Sequence, residues 1–169
     1  WPVLFSTTSS THVLEPVAQI FARPDEPYSD ELTVLNEDAQ SFVFDATTLF
    51  ERDKFSGYDR IEGGTRANLG FRYAGTYGNG WATNAIFGQS YHLAGRNSFA
   101  SPDVVNAGAY SGLDTDTSDY VGLVGFAAPF GLSASVSTRL DKDTLDMRRG
   151  ELRAAYATAR FTVSAKYAY

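Results

Sequence analysis

The chain has 169 residues, 14 Lys and Arg against 20 Asp and Glu, and a formal net charge of −6. That length fits about one domain, and the acidic balance argues against a nucleic-acid partner, which needs clustered basic side chains. With no Cys and two His residues, thiolate sites are excluded and a histidine-rich metal site is not expected. Abundant Gly, aromatic and β-branched residues predict an all-β protein.

The N-terminal part contains a predicted strand at residues 11–21, preceded at residues 1–8 by the end of another strand or a lead-in turn. Side chains of a strand point alternately to its two faces. One face of this strand is apolar, although Pro16 by itself would suggest an edge or a bulge. That apolar face consists of Leu14, Pro16, Ala18 and Ile20.

Residues 23–59 form a long connection that is rich in Pro and acidic residues. Loops of this length are uncommon in compact domains and are usually functional or disordered. Asp45 is a suitable N-cap for a short helix at residues 46–53. Phe44 and Leu49 have the spacing of a hydrophobic staple around that cap. The sequence therefore predicts a folded and packed loop that contains a short helix.

The next strand has the clearest two-residue alternation in the chain, beginning at Arg60 and ending at Gly75. One face is charged, polar or Gly, and the other becomes apolar towards Tyr73. A soluble sheet can show the same alternation, with its apolar face on a core. However, a membrane-spanning strand needs only about 9–11 residues, so this strand is long enough to cross a bilayer and extend beyond it. Its polar face consists of Arg60, Glu62, Gly64, Arg66, Asn68, Gly70 and Arg72.

The remaining sequence predicts further strands. The connections along the chain run long, short, long, short, short and short, and one of the short ones is a charged tip at 141–143. The faces of the strand at 120–128 cannot be assigned from its sequence, whereas the strand at 132–140 alternates cleanly. The predicted strands are 81–93, 120–128, 132–140, one around 149–156, and 161–169. The predicted short turns are 76–80, 129–131 and 157–160, and the second long loop is 95–119.

All three short turns fall at one end of the predicted sheet and the long loops at the other. Outer-membrane barrels show this asymmetry, with short periplasmic turns and longer extracellular loops. About seven strands follow the lead-in, and a sheet in lipid cannot leave its edges unpaired. We therefore expect an antiparallel transmembrane β-barrel segment that belongs to a larger barrel. No apolar run approaches the length of about 18 residues that a transmembrane helix needs.

Three segments are more specific than this alternation: NEDAQSFVFD at 36–45, LFERDKFSGYDRIEGG at 49–64 and TRANLGFRY at 65–73. Together with LEP-x-x-Q at 14–19, they resemble the LptD family of outer-membrane lipopolysaccharide-assembly proteins, also called organic solvent tolerance proteins. The resemblance covers nearly the whole chain. The residues that carry the family signature are Asn36, Glu37, Asp38, Phe42, Asp45, Phe50, Phe55, Gly57, Tyr58, Asp59, Gly63 and Gly64.

The resemblance implies that residues 1–169 are part of one β-barrel domain, with long extracellular loops at about 23–59 and 95–119. It implies lipopolysaccharide transport and insertion into the outer leaflet of the Gram-negative outer membrane. The implied partners are lipopolysaccharide, the lipid bilayer, the plug lipoprotein LptE, and a periplasmic Lpt bridge that acts through an N-terminal domain outside this sequence. The family has no catalytic residues and no cofactor, so an enzyme is not expected.

Charged side chains on the alternating strands are predicted to line the barrel lumen. Arg pairs well with phosphate and carboxylate groups, so these residues are candidate contacts for lipopolysaccharide. A water-filled lumen would also need polar residues for solvation alone, and a lumen packed around a plug protein could use them too. The main candidates are Arg60, Glu62, Arg66 and Arg72, joined by Arg149, Glu151, Arg153 and Lys166.

Aromatic residues at strand ends are candidates for the girdles that mark the membrane interfaces, although they could equally be ordinary core residues. The candidates are Tyr73, Trp81, Tyr91, Tyr167 and Tyr169.

Other chemical roles have weaker support in the sequence. No nucleophile motif accompanies the Ser, His and Asp residues. His12 has no sequence neighbour that would orient it and His92 ends a strand, so both are interpreted as structural or interface residues. The acidic residues of the first long loop lack EF-hand spacing and are either solvated or bind divalent cations that bridge lipopolysaccharide phosphates. These acidic residues are Glu37, Asp38, Asp45, Asp53 and Asp59.

Two other classes of protein share parts of the pattern. A general porin would show the same alternation and the same loop asymmetry. A soluble β-sandwich or lipocalin-like binding module would share the composition. Ion conductance through the purified protein would favour the porin, and monodisperse behaviour without detergent would favour the soluble module.

Overall fold

A computed structural model describes residues 1–24, 43–55, 61–100 and 110–169 of the chain. These residues form one antiparallel sheet of eight strands, each paired with its neighbours in chain order. The sheet is not closed, because its edges β1 and β8 do not pair with each other. The predicted all-β antiparallel class is confirmed. The strands are β1 Val3–Ser6, β2 Ser10–Arg23, β3 Gly64–Tyr77, β4 Ala82–Ala94, β5 Tyr120–Ala127, β6 Leu132–Leu140, β7 Met147–Ala157 and β8 Thr162–Ala168.

The strands agree with the sequence pattern to within two residues at each end, except at the start of β3. The alternation suggested a strand from Arg60, which lies outside the described residues, but β3 begins at Gly64. Gly64 has a φ of +77°, in the left-handed region that favours glycine. A Cβ on Gly64 would come within 2.7 Å of the Arg96 carbonyl oxygen. The chain therefore turns at Gly64, and Glu62 belongs to the preceding loop.

The connections follow the predicted asymmetry. Four short turns, at 7–9, 78–81, 128–131 and 158–161, lie at one end of the sheet. The connections at the other end are 24–63, 95–119 and the shorter 141–146. Among the residues that the structure describes, no helix is long and apolar enough to cross a membrane.

The strand register gives the sheet two chemically different faces. On the face that we call polar, partners such as Asn68 and Ser90, or Arg153 and Lys166, lie side by side. The register also shows which face each side chain of β5 belongs to. Val124, for example, lies on the opposite, apolar face. The polar face includes Glu15, Gln19, Arg66, Asn68, Arg72, Asn84, Ser90, Ser133, Ser135, Ser137, Arg139, Arg149, Glu151, Arg153, Ser164 and Lys166. The apolar face includes Val3, Phe5, Leu14, Ile20, Leu69, Phe71, Phe87, Val124, Phe126, Val136, Leu152, Tyr156, Val163 and Tyr167.

The buried apolar cluster lies against the polar face. Its members come mainly from the connecting segments, and Val121 of β5 is the strand residue among them. The large side chains of the apolar face are exposed instead, for example Ile20 and Val124. A soluble sheet would place its apolar face on the core, so this arrangement is the reverse of a soluble one. The cluster consists of Phe44, Ala46, Leu49, Phe55, Phe99, Leu113 and Val121.

The predicted helix at 46–53 is wrong, although its capping interactions are present. The Asp45 carboxylate accepts hydrogen bonds from the amides of Thr47 (2.7 Å) and Thr48 (3.2 Å), and Thr48 Oγ1 accepts one from the Asp45 amide (3.0 Å). The chain then forms turns, because the Glu51 amide bonds to the Thr48 carbonyl three residues back. So short a helix has little stability of its own. The expectation of a packed segment is confirmed, since Leu49 is fully buried.

Candidate functional site

A buried ion cluster holds the first long loop against the start of β3. Glu62 is 0% exposed, Arg66 1% and Lys54 3%. Arg66 Nε lies 2.7 Å from Glu62 Oε1, and Lys54 Nζ lies 3.6 Å from Glu62 Oε2. The Lys54 amide also donates to Glu62 Oε2 at 3.2 Å. One carboxylate thus connects the segment 43–55 to the polar face of β3.

The electrostatics of this cluster are dominated by the loss of solvent. Burial raises the pKa of the Glu62 carboxyl, while the nearby Lys54 and Arg66 oppose that shift. Burial lowers the pKa of the Lys54 amine, and Glu62 opposes that shift. Buried ion pairs add little net stability, but removing one partner leaves an uncompensated charge and is strongly destabilising. The cluster therefore fixes the position of the loop more than it strengthens the fold.

A second ion pair ties the same loop to the end of β2. Arg23 Nη1 lies 3.1 Å from Asp53 Oδ2. The other carboxylate oxygen of Asp53 accepts hydrogen bonds from the amides of Phe55 (3.1 Å) and Glu62 (3.3 Å). Asp53 therefore has structural partners that hold together the two ends of the loop.

The two long loops also pack on each other, with Arg66 between them. Arg66 Nη2 donates to Asn97 Oδ1 (3.1 Å) and to the Leu113 carbonyl (3.3 Å). Its guanidinium carbon lies 5.1 Å from the centre of the Phe99 ring, and that ring stacks on Phe55 at 4.8 Å. We call this unit the loop cap, and among the described residues it consists of 43–55, 61–63, 95–100 and 110–119.

Two glycines on the polar face allow the loop cap to rest directly on the sheet. Gly70 and Gly88 are partners on β3 and β4. A Cβ on Gly88 would come within 2.7 Å of Leu49 Cδ2, and one on Gly70 within 3.1 Å of Phe50 Cζ. Both would also come within 2.3 Å of a carbonyl oxygen of the facing strand. The sequence analysis did not predict this contact. The signal for it was that two adjacent strands each carry a glycine on the polar face.

The structure separates the predicted contact residues into two kinds. Glu62 belongs to the loop cap, and Arg66 is a β3 residue buried beneath it. Arg72 is exposed on the polar face, with its guanidinium carbon 4.9 Å from the centre of the Phe50 ring. Arg60 lies outside the described residues.

The described signature residues gather around the loop cap. Asp45, Phe50 and Phe55 belong to the cap itself. The Gly63 amide donates to Ser98 Oγ at 2.9 Å, and Gly64 opens β3. The signature residues outside the described part of the chain are Asn36, Glu37, Asp38, Phe42, Gly57, Tyr58 and Asp59.

A second charged cluster lies on the polar face of β7 and β8, away from the loop cap. Glu151 is nearly buried and contacts three cationic side chains. Arg149 Nη2 lies 3.5 Å and Lys166 Nζ 3.1 Å from Glu151 Oε2, and Arg153 Nε pairs with Glu151 Oε1. Three positive groups therefore share one carboxylate, and the surface carries an excess of positive charge.

Both histidines are hydrogen-bonded to other groups of the protein. His12 lies on the apolar face, where Nδ1 is hydrogen-bonded to the Tyr73 hydroxyl (2.7 Å) and Nε2 to Ser10 Oγ (3.0 Å). The expectation that no sequence neighbour orients His12 is wrong, because Ser10 lies only two residues before it. The second partner, Tyr73, comes from a strand 61 residues away in sequence. His92 Nε2 is hydrogen-bonded to the Gly95 carbonyl at 3.0 Å. In the described ranges, no three His, Asp or Glu side chains are grouped to hold a metal ion.

Aromatic side chains form bands near both ends of the strands. At the short-turn end, Trp81 lies 5.9 Å from Phe126 and 6.0 Å from Phe130, measured between ring centres. Tyr91 and Tyr120 lie near the long-loop end. Trp81 and Tyr91 are ten positions apart. At the usual strand rise and barrel tilt, this places the bands about 25 Å apart, which is the height of the apolar band of outer-membrane barrels.

Comparison with known proteins identifies a family for this chain. A search of curated proteins finds none that matches this chain. The family model LptD, LPS transport system D, matches residues 1–169. This family acts in lipopolysaccharide transport and assembly at the Gram-negative outer membrane, and the all-β structure fits a β-barrel. The match extends over all the strands and the loop cap, so the chain belongs to the LptD family of the lipopolysaccharide transport system.

Proposed function

We propose that this chain forms part of the wall of an outer-membrane β-barrel that transports lipopolysaccharide and inserts it into the outer leaflet. The observation that supports this proposal is the chemical difference between the two faces of the sheet. The apolar face is exposed and fits a lipid environment, whereas the polar face holds the charged residues and the loop cap. A barrel in lipid needs this arrangement, apolar outside and polar inside.

The edges of this sheet support a larger barrel. The edges β1 and β8 are unpaired with each other, and unpaired strand edges are not tolerated in hydrocarbon. We propose that further strands complete the barrel and that residues 1–169 belong to this one domain. In this arrangement the long-loop end faces the cell exterior. The lipoprotein LptE would occupy part of the lumen, and a periplasmic bridge would deliver lipopolysaccharide.

We propose that the loop cap closes the outer end of the lumen. It covers the polar face of β3 and β4 through buried contacts of Leu49, Phe55 and Glu62. Deleting residues 45–55 is therefore expected to make cells more permeable to large antibiotics, measured as a lower inhibitory concentration. Deleting 142–145 in the short hairpin connection is the matched control and should leave permeability unchanged. Normal permeability in a well-expressed 45–55 deletion would refute the capping role.

Fractionation and depletion test the proposed function itself. In outer-membrane fractions, an antibody to residues 36–73 should detect a band that shifts on boiling, as folded barrels do. Depleting the protein should reduce newly made lipopolysaccharide at the cell surface. Normal surface lipopolysaccharide after depletion would contradict the transport role. Steady ion conductance through the purified wild-type protein would instead favour a porin.

A further inference from the structure

A group of polar side chains interrupts the apolar face at the short-turn end of β2, β3 and β4. The register places these side chains on the same face as Leu14 and Phe71. Hydrogen-bonding groups are costly to place against hydrocarbon, so this exception points to a polar neighbour. We call the group the His12 cluster, and it consists of Ser10, His12, Tyr73, Tyr77 and Thr83.

A continuous chain of hydrogen bonds runs through this cluster. Thr7 Oγ1 lies 2.7 Å from Ser10 Oγ, which lies 3.0 Å from His12 Nε2. On the other side of the imidazole, His12 Nδ1 lies 2.7 Å from the Tyr73 hydroxyl. Three hydroxyls and an imidazole carry at least four donor protons, and the three hydrogen bonds use three of them. The chain therefore has at least one donor left for an acceptor outside it.

A buried glycine makes room for the hydroxyls of this cluster. A Cβ on Gly75 would come within 2.7 Å of both the Tyr73 hydroxyl and Thr83 Oγ1. Thr83 brings a proton of its own along with its acceptor oxygen, so the excess of donors remains. The Phe5 ring stacks on the His12 ring, with their centres 5.0 Å apart. The donors are thus held in place by packing between neighbouring strands.

The charge and the depth of the cluster favour an anion at the membrane interface. Among the described strand residues, the apolar face of β1 to β4 carries no carboxylate that would repel one. Tyr77 is the last residue of β3, and its amide donates to the carbonyl of Trp81 at 2.9 Å. The cluster therefore lies at the level of the aromatic band that contains Trp81. Such bands lie at the level of the lipid headgroups.

We propose that the His12 cluster binds the phosphate of a glycerophospholipid in the inner leaflet of the membrane. The inference rests on the proposed function, which places the apolar face in lipid and the short-turn end at the periplasmic side. The ester carbonyls of a lipid can also accept hydrogen bonds, but hydrogen bonds to an ionised acceptor are roughly twice as strong. The phosphate is therefore the group that the spare donors of His12, Tyr73 and Ser10 hold.

Native mass spectrometry of the full-length protein in maltoside micelles, which contain no phosphate, tests this site. The probes are phosphatidylglycerol and a diacylglycerol with the same acyl chains, which keeps the ester carbonyls and lacks the phosphate. The wild-type protein should retain phosphatidylglycerol and bind diacylglycerol weakly. The variant His12→Phe/Tyr73→Phe keeps both aromatic rings. Its affinity for phosphatidylglycerol should be at least about tenfold lower, because hydrogen bonds to a charged group are lost.

Further variants keep the test interpretable. Tyr73→Phe removes a single hydroxyl and should also lower the affinity for phosphatidylglycerol. This single variant decides the matter if the double variant lacks the heat-dependent band shift of a folded barrel. Its matched control is Tyr167→Phe, which removes the same hydroxyl from the apolar face of β8 at the long-loop end and should leave the affinity unchanged.

Photo-crosslinking in the protein's own outer membrane identifies the natural occupant. Leu14 lies two residues from His12 on the same face of β2 and is 38% exposed. A photoreactive residue at Leu14 should form an adduct with the mass of a glycerophospholipid.

Three outcomes would overturn the site. Equal affinity for phosphatidylglycerol and diacylglycerol would show that phosphate is not recognised. Unchanged affinity in the folded double variant, or in Tyr73→Phe where the double variant does not fold, would show that water satisfies these donors. Adducts at Leu14 with lipopolysaccharide or protein alone would show that no inner-leaflet phospholipid lies there. The transport role can still hold in each case, because it fails separately, when depletion leaves surface lipopolysaccharide normal.

Discussion

Replacing Glu62 with alanine is expected to release the loop cap from β3. The change leaves Lys54 and Arg66 buried without their shared carboxylate. Breaking a buried ion pair in this way costs about 3–5 kcal/mol. The loss should be local, since the strands keep their ladder. With the long-loop end outside the cell, as proposed above, trypsin added to intact cells should therefore cleave faster after Arg52 and Lys54. The protein should still show the band shift on boiling that is expected of a folded barrel.

The matched control is Glu51→Ala, which removes the same side chain from an exposed position in the same segment. Trypsin resistance should remain at the wild-type level in this control. Glu62→Gln should lie between wild type and Glu62→Ala, because its amide oxygen can still accept from the Lys54 amide but carries no charge. If Glu62→Ala resists trypsin as well as wild type, the apolar cluster alone holds the cap and the role given to Glu62 is wrong.

The strands were predictable because successive side chains face two different environments, one polar and one apolar. The strand predicted at 132–140 has the same bounds in the structure, Leu132–Leu140. Its serines and Arg139 lie on the polar face, and its apolar residues lie opposite. Alternation is a local signal, so it requires no knowledge of which strands become neighbours.

The same reasoning could not assign the faces of β5 because both of its faces are apolar. Val121 and Leu123 lie on the polar side of the sheet, but there they contact the apolar cluster under the loop cap. Val124 and Phe126 lie on the apolar face. Strands that meet apolar surroundings on both sides lose their alternation. The missing signal in β5 thus results from the loop cap.

The candidate site was only partly predictable, for a related reason. Arg66 and Arg72 lie on the same face of the same strand, and the sequence treats them alike. The structure buries Arg66 between two loops and leaves Arg72 exposed. That difference depends on Asn97 and Leu113, which follow Arg66 by 31 and 47 residues. Contacts at such separations depend on how the loops fold back, which local patterns do not encode.

Val136→Arg is expected to destabilise the barrel by about 2–4 kcal/mol, whereas Ser137→Arg is expected to be nearly neutral. Val136 is at the middle of β6 on the apolar face and is 53% exposed. Ser137 is its neighbour on the polar face and pairs with Glu151. The measurement is the urea midpoint of folding into lipid vesicles, followed by the band shift on boiling.

Leu132→Arg tests whether the apolar face contacts lipid or is packed against protein. Leu132 lies on the same face at the short-turn end of β6. In a bilayer the cost of an arginine falls to about 0–1 kcal/mol near the interface, so Leu132→Arg should cost much less than Val136→Arg. In a soluble β-sandwich the cost would follow side-chain packing, with no dependence on depth. Two results together would rule out a barrel wall: equal costs at the two positions, and a protein that is monodisperse without detergent. The second result counts against the barrel because an exposed apolar face of this extent requires lipid.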